Sequence, residues 1–452
     1  MVVPLGNTQD AFFPRSIAAT MPTIVSGHGV HLVDDRGREL IDVCSGPFLA
    51  SLGQGNERVL DAMSRQGREL TYVYSRMTRH PANARLSGRL ARLLGPGFER
   101  VHLTSGGSEA NEMAIKMLRM RALSRGERDR TVVVSLMPSY HGATVLTLGF
   151  NGDVSVSGSW GPFTVEAERI PAPLTFRAPS THEAAATSLT ALDDLLARVG
   201  AERVLAVLVE PIGGQSSGVN VPHPSFARGL RRRCDEHGIA LVFDEIVTAF
   251  RTGEVLAAFH DRDALPDVVT LAKGLGAGYA PLGAVATSAQ LADELADSLG
   301  FVVSHSYDAS PIACAAGDAV LAEIEDRDLV ERSTRLGAVL RDGLDALAAR
   351  HRIIGDVRGR GLLQAVELVA DPDTMATFGP GLDPAHEIAK VGIDHGLLLY
   401  ARRQNEGRFG DWLLLAPPLV IDDDELASML QRFDDTLRAA APRLVGRSDG
   451  DP

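Results

Sequence analysis

A chain of 452 residues exceeds what one hydrophobic core usually organises, so two packed units, or one large domain with a smaller companion, are expected. With 45 basic against 58 acidic residues the net charge is −13, which repels phosphate backbones and anionic lipid; nucleic acid and membrane are disfavoured, and small molecules or other subunits remain as partners. Three cysteines with no Cys-x-x-Cys spacing offer no metal site and suit a reduced cytoplasmic compartment, and no apolar stretch nears the ~20 residues of a membrane-spanning helix.

In chain order, the first element is a hairpin signal at residues 28–41, with Asp35-Arg36-Gly37 as its turn. It belongs to an N-terminal segment, 1–59, expected to pack with the C-terminal portion. Apolar β-branched runs follow at 101–104, 131–136, 204–209, 239–243, 268–271 and 283–287. They are apolar throughout rather than alternating, which suits strands buried on both faces, as in a parallel sheet. Helix-like segments at 108–124, 224–237 and 310–324 alternate with them, so a doubly wound α/β domain is expected over 60–320. Beyond it, a long amphipathic helix from about 325, a strand-like run at 362–368 and a final helix from Asp423 predict a smaller α+β domain, 321–452. The Gly- and Pro-containing stretches 151–180 and 371–384 read as long loops, of the kind that serve as lids or binding surfaces.

Three segments carry chemistry. In Thr104-Ser105-Gly106-Gly107-Ser108-Glu109-Ala110-Asn111 a strand ends in a Gly-rich turn and a helix begins. Glycines admit a phosphate close to backbone N–H groups, Ser108 adds a hydroxyl and the helix N-terminus adds positive potential; an ordinary N-cap reads equally well from this segment alone. Leu241-Val242-Phe243-Asp244-Glu245 puts carboxylates at the end of an apolar strand, where open α/β sheets bind ligands. Asp244 there wants a cationic partner, such as a protonated pyridine nitrogen, or else caps a turn. Val268-Val269-Thr270-Leu271-Ala272-Lys273-Gly274 runs a strand straight into a lysine, and the chain's only other lysines are Lys116 and Lys390. Arginine does the surface work, so Lys273 is not solubilisation; a partly desolvated amine can form an imine with an aldehyde, which arginine cannot.

Together these residues resemble the class III (subgroup II) aminotransferases of pyridoxal-5′-phosphate (PLP) fold type I, over nearly the whole chain. The family's phosphate segment stands at Ser105 to Asn111, its Tyr/Phe-His-Gly at Tyr140-His141-Gly142, its Glu-Pro at Glu210-Pro211 and its Asp-Glu-Ile at Asp244-Glu245-Ile246. The cofactor lysine is Lys273, 29 residues after Asp244 (273 − 244); Arg-Gly-x-Gly-Leu stands at Arg358 to Leu362, and Pro-Pro-Leu at Pro417-Pro418-Leu419.

The resemblance implies an aspartate aminotransferase-like α/β fold, with a large doubly wound mixed-sheet domain and a smaller α+β domain, and a ping-pong amino-group transfer. Lys273 would carry PLP as a Schiff base and act as the catalytic base and acid. Gly107 and Ser108 would hold the phosphate, Tyr140 and Ile246 would cover the two ring faces, and Asp244 would pair with the pyridine nitrogen, with Glu210 and His141 in the polar layer behind. Ser306, in Ser304-His305-Ser306-Tyr307, replaces a threonine that the family contributes from the neighbouring subunit, which implies a homodimer with shared active sites. An aminomutase, racemase or decarboxylase on the same scaffold is the alternative.

Two features bear on the substrate. Relatives acting on ornithine-like substrates and 4-aminobutyrate pair an arginine with a glutamate where Leu414 and Gln215 stand here, so the pattern looks more like the omega (amine:pyruvate) transaminases. Losing both partners together avoids stranding a buried charge. Phe48 matches a position often aromatic in that pocket, or is a plain core residue. In the basic stretch 400–408, Arg402, Arg403 and Arg408 are the candidates to swing in for a keto acid's carboxylate, Arg402 first because it lies nearest the strand-like 397–400, and plain solvated surface arginines are the other reading. The shortened Ala249-Phe250-Arg251-Thr252-Gly253 leaves the adjoining loop open.

Overall fold

The computed structural model describes residues 22–153, 157–165, 167–297, 300 and 303–445, so the first 21 residues of the expected N-terminal segment lie outside the described residues. At its centre is a seven-stranded sheet of β1 (Arg100–Thr104), β2 (Val132–Met137), β3 (Glu168–Pro171), β4 (Val204–Val209), β5 (Ala240–Asp244), β6 (Val268–Leu271) and β7 (Gly283–Thr287), in the order β1-β7-β6-β5-β4-β2-β3. All six apolar runs are strands of this sheet. Only β7 is reversed, lying antiparallel to β1 and β6, so the sheet is mixed, as the resemblance implies, and not the purely parallel one that the apolar runs alone suggest. Burial on both faces makes Gly-Ala-Val-Ala-Thr apolar whichever way it runs, which hides its direction from the sequence. The edge strand β3 falls inside the stretch expected as a loop: in Glu-Arg-Ile-Pro only the isoleucine is fully buried, and a terminal proline is tolerated because an edge needs no further pairing.

Helices cover both faces of the sheet. Helix Gly107–Ser124 starts within three residues of β1, and Ser225–His237 leads into β5, stopped by Gly238 in the left-handed conformation (φ 63°). Thr181–Val199 follows β3 and is capped by the Ser180 hydroxyl, which accepts the Glu183 N–H. The alanine-rich helix Pro311–Asp326 packs closely on Glu57–Glu69 and Pro81–Leu94.

The N-terminal hairpin closes where expected. Asp34 accepts the N–H groups of Arg36 and Arg38, at 3.0 and 2.8 Å, around Gly37 (φ 76°). Its last strand, Glu39–Asp42, pairs in parallel with Leu397–Leu398, which lays this segment against the C-terminal part of the chain. There a four-stranded antiparallel sheet has β8 (Tyr400–Gln404) at its edge, beside β9 (Gly410–Leu415), then Leu363–Leu368 and Ile354–Arg360. Arg251, fully buried, joins this sheet to the loop after β5: its Nη1 donates to the Ala416 and Pro417 carbonyls at 3.1 and 3.0 Å, and its own carbonyl accepts the Leu362 N–H at 3.0 Å. The shortened loop 249–253 is therefore a firmly pinned turn. Among the described residues no helix is long and apolar enough to cross a membrane.

Candidate active site

Strands β1, β2, β4, β5 and β6 point the same way, so their C-terminal ends meet at one edge of the sheet, where open α/β sheets take ligands. Ser105 to Ser108 follow β1, Tyr140 and His141 follow β2, Glu210 follows β4, Asp244 ends β5, and Lys273 lies two residues beyond β6. These residues and Ile246 line a single cavity of about 440 Å³.

Asp244 is buried and held from three sides. Its Oδ2 accepts from Asn111 Nδ2 at 2.8 Å and from His141 Nδ1 at 2.9 Å, and its Oδ1 accepts the Ile246 N–H at 3.1 Å. Because a carboxylate only accepts, the contact assigns the proton on His141 to Nδ1. Asn111 also donates to the His141 carbonyl and accepts the Thr270 hydroxyl, both at 2.7 Å. Asn111 and Thr270 were given no such role from the sequence; the available signal was an asparagine among the small apolar residues of a helix's buried face, beside Ala110 and Ala114. Left unpaired, each of these buried polar groups would cost ~1–3 kcal/mol.

Lys273 sits in the left-handed region (φ 38°), a conformation that non-glycine residues adopt mostly where function or context imposes it. Burial pulls its amine down to about 8, against the carboxylates of Asp244 and Glu210, which favour the charged form. Its Nζ lies 5.3 Å from the centre of the Phe48 ring. Glu210 is itself pushed up to about 7 by burial, opposed by His141, and accepts the N–H groups of Tyr140 and Gly214 at 3.2 and 2.9 Å. Burial also raises the Tyr140 hydroxyl.

At the opposite end the helix Gly107–Ser124 aims its N-terminus at the cavity. A Cβ on Gly107 would meet Ile246 Cδ1 at 2.8 Å, so the close approach of the helix N-terminus to Ile246 needs a residue without a side chain. Ser108 Oγ accepts the Ala143 N–H at 3.0 Å, which leaves its own proton to donate. Ser306 is exposed and does not line the cavity of its own chain.

Beyond the cavity lining, β8, β9 and the loop after β4 pack around Phe48. Tyr400 packs on Phe48, ring centres 5.1 Å apart, and its hydroxyl donates to Gln215 Oε1; Trp412 Nε1 donates to the Gln215 carbonyl at 2.9 Å. Leu414 is fully buried, opposite Tyr400 in register. The missing arginine and glutamate are thus replaced by an apolar contact and a tyrosine–glutamine bond. Arg402 is ion-paired with the fully buried Asp153, which also accepts the Ser216 hydroxyl at 3.1 Å. Asp153 went unnoticed in the sequence, where Asn151-Gly152-Asp153 shows no spacing that marks a site.

This set fits PLP. One cavity of about 440 Å³ holds a helix N-terminus with two glycines and a serine for a phosphate, a fixed carboxylate for a ring nitrogen, and an amine with a lowered pKa for an aldehyde. His141 keeps a buried Nε2 with no partner among the described residues, a polar atom left for a bound group or water.

The family model described as aminotransferase class-III matches residues 13–437. An omega-aminotransferase of Caulobacter vibrioides is 31% identical over 464 residues, covering 98% of this chain and 99% of the relative. An amine transaminase from an uncultivated Pseudomonas species, solved in its PLP-bound form, superposes with a TM-score of 0.88 at 31% identity, covering 96% of this chain and 99% of its own. An omega transaminase of Pseudomonas jessenii, solved with PMP, gives a TM-score of 0.90 at 25% identity, over 97% and 98% of the two chains. Fold and sequence agree from end to end, and the chain belongs to the class-III aminotransferases, enzymes of PLP fold type I that use PLP to transfer amino groups.

Proposed function

We propose that this enzyme moves an amino group from a small amine, without need of an α-carboxylate, to a short keto acid, and that Lys273 is the residue that carries PLP. The observation that supports this most is the lowered Lys273 amine within one cavity with Asp244, whose carboxylate is immobilised by Asn111 and His141. Gly107, Ser108 and the helix N-terminus hold the phosphate. Tyr140 and Ile246 bracket the ring, and Asp244 keeps the ring nitrogen protonated, with His141 and Glu210 setting the charge around it. Bound PLP supplies an aldehyde and a protonated ring able to hold the electron pair left when a substrate carbon loses its proton. Lys273 Nζ, with its lowered pKa in the same cavity, would be the base that takes that proton and the acid that gives it back. Phe48 and Tyr400 shape the pocket for the donor's side group, and Arg402 meets the carboxylate of the keto acid.

Ser306 reaches the phosphate of a second copy. Its exposure supports this, as do the exposed rings of Tyr72 and Tyr307, centres 6.4 Å apart, and the exposed Met77 close by in sequence; apolar surface of this kind is normally covered. A homodimer with shared sites follows, and the three buried free cysteines suit the cytoplasm.

Amine donors screened against pyruvate and 2-oxoglutarate, with the cofactor absorbance followed in each half-reaction, test the assignment. Amines lacking an α-carboxylate should convert the cofactor to its amino form, and pyruvate should restore it. Turnover of a single substrate with no acceptor would instead indicate an aminomutase, racemase or decarboxylase.

A further inference from the structure

Asp153 belongs to none of the motifs that mark this family in the sequence, yet it is a fully buried carboxylate close enough to Tyr140, which lines the active-site cavity, to act on its hydroxyl. It accepts the Ser216 hydroxyl at 3.1 Å and is ion-paired with Arg402 Nη2. Arg402 is fixed at a second nitrogen as well, where Nε donates to Oε1 of the fully buried Gln404 at 3.0 Å. A guanidinium is a rigid fork, so contacts at two of its nitrogens define its plane. A chain of contacts runs from its strand to the reacting centre: Tyr400, two residues before Arg402, packs on Phe48 at 5.1 Å, and Phe48 lies 5.3 Å from Lys273 Nζ. Arg402 also lies close enough to Tyr140 and Tyr400 for its charge to oppose the rise that burial causes in both hydroxyls.

Drawing Arg402 away would break its ion pair with a fully buried carboxylate, which costs more than one charge-assisted contact with a substrate returns. We infer that Asp153 is a positioning residue that fixes Arg402 as a stationary cation, so that the keto acid comes to the guanidinium and the guanidinium does not swing to the keto acid. This rests on the proposed role of Arg402 toward the acceptor carboxylate, and it replaces the mobile arginine expected from the sequence. Two consequences follow. A fixed separation between cation and Lys273 selects the acceptor by chain length. The Asp153–Arg402 pair is neutral as a whole, so an amine with an uncharged side group meets no uncompensated charge there.

The test uses the holoenzyme, first converted by a donor to its amino form, in single turnovers with glyoxylate, pyruvate, 2-oxobutanoate and 2-oxoglutarate. The unaltered enzyme should favour one chain length by about tenfold, the discrimination a misfitted methylene can give. Asp153→Asn, close to isosteric, should flatten that preference to within about threefold, chiefly through the half-saturating concentration rather than the limiting rate. It should also impair the keto-acid half-reaction about tenfold more than the amine half-reaction. Ser216→Ala should shift the preference the same way by less, and it decides the matter if Asp153→Asn does not fold. A sharp preference retained in these variants overturns the proposal, and so does tighter use of every keto acid, which would make Asp153 a competitor of the substrate. Arg402→Ala separates the two levels. If it spares the keto-acid half-reaction, the role of Arg402 falls and this inference with it; if it impairs that half-reaction while Asp153→Asn keeps the preference, only the positioning role falls.

Discussion

Gly107 and Ile246 stand so close that a methyl group on Gly107 would meet Ile246 Cδ1 at 2.8 Å. The Ile246 backbone is held by its N–H bond to Asp244 at 3.1 Å, so the methyl group is accommodated by turning the Ile246 side chain, which reshapes the cavity wall that it forms. Gly107→Ala should weaken PLP binding about tenfold, ~1.4 kcal/mol, with little change in the unfolding temperature of the apoenzyme. Fluorescence titration of apoenzyme with PLP measures this, and undiminished affinity would mean that Ile246 has room elsewhere.

Asn111 joins helix Gly107–Ser124 to the ends of β2, β5 and β6 through three groups at once. Asn111→Ala should leave the Thr270 hydroxyl and the His141 carbonyl unpaired and free Asp244 to shift. Equilibrium denaturation should register a loss of ~1–3 kcal/mol, accompanied by weaker PLP retention. Stability without loss of retention, or the reverse, would separate the structural bond from the orientation of Asp244.

The lowered Lys273 amine gives a pH dependence of definite sign. Only the neutral amine attacks an aldehyde, and it predominates above its pKa. With that value at about 8, about a tenth of the molecules are competent at pH 7, against a few in ten thousand for a lysine at its ordinary 10.5. The second-order rate of PLP capture by apoenzyme should therefore rise with pH and level off above about 8. A rate still climbing tenfold per pH unit at 9 would show that burial does not lower this amine.

Much of the site could be read from the sequence because the strands that carry it are apolar on both faces and end abruptly in single polar residues. Asp244 and Lys273 stand out for that reason, as does the turn before Gly107. What stayed hidden was encoded over long distances. Arg402 and Asp153 are 249 positions apart, and nothing local to either marks the pair. The reversed direction of β7 is equally silent, since a buried strand has the same composition either way. Glu168–Pro171 was lost to the loop around it because an edge strand of four residues with two charges carries no period that a short window can detect.

Ser306 is exposed in the single chain but, in the proposed dimer, donates to the partner's phosphate. Ser306→Ala should weaken PLP retention by about 1–2 kcal/mol, the range of one charge-assisted hydrogen bond, and leave the dimer intact by sedimentation. Retention equal to that of the unaltered enzyme would place Ser306 away from the phosphate.

The central claim is that Lys273 bears the cofactor. Borohydride reduction of the yellow holoenzyme, followed by peptide mass mapping, tests it directly, because only three lysines exist to carry the adduct. The phosphopyridoxyl mass should appear on the peptide containing Lys273 and on no other. Its appearance on Lys116 or Lys390, which pair on the surface with Glu112 and Glu387, or its absence from the Lys273 peptide, would contradict the account.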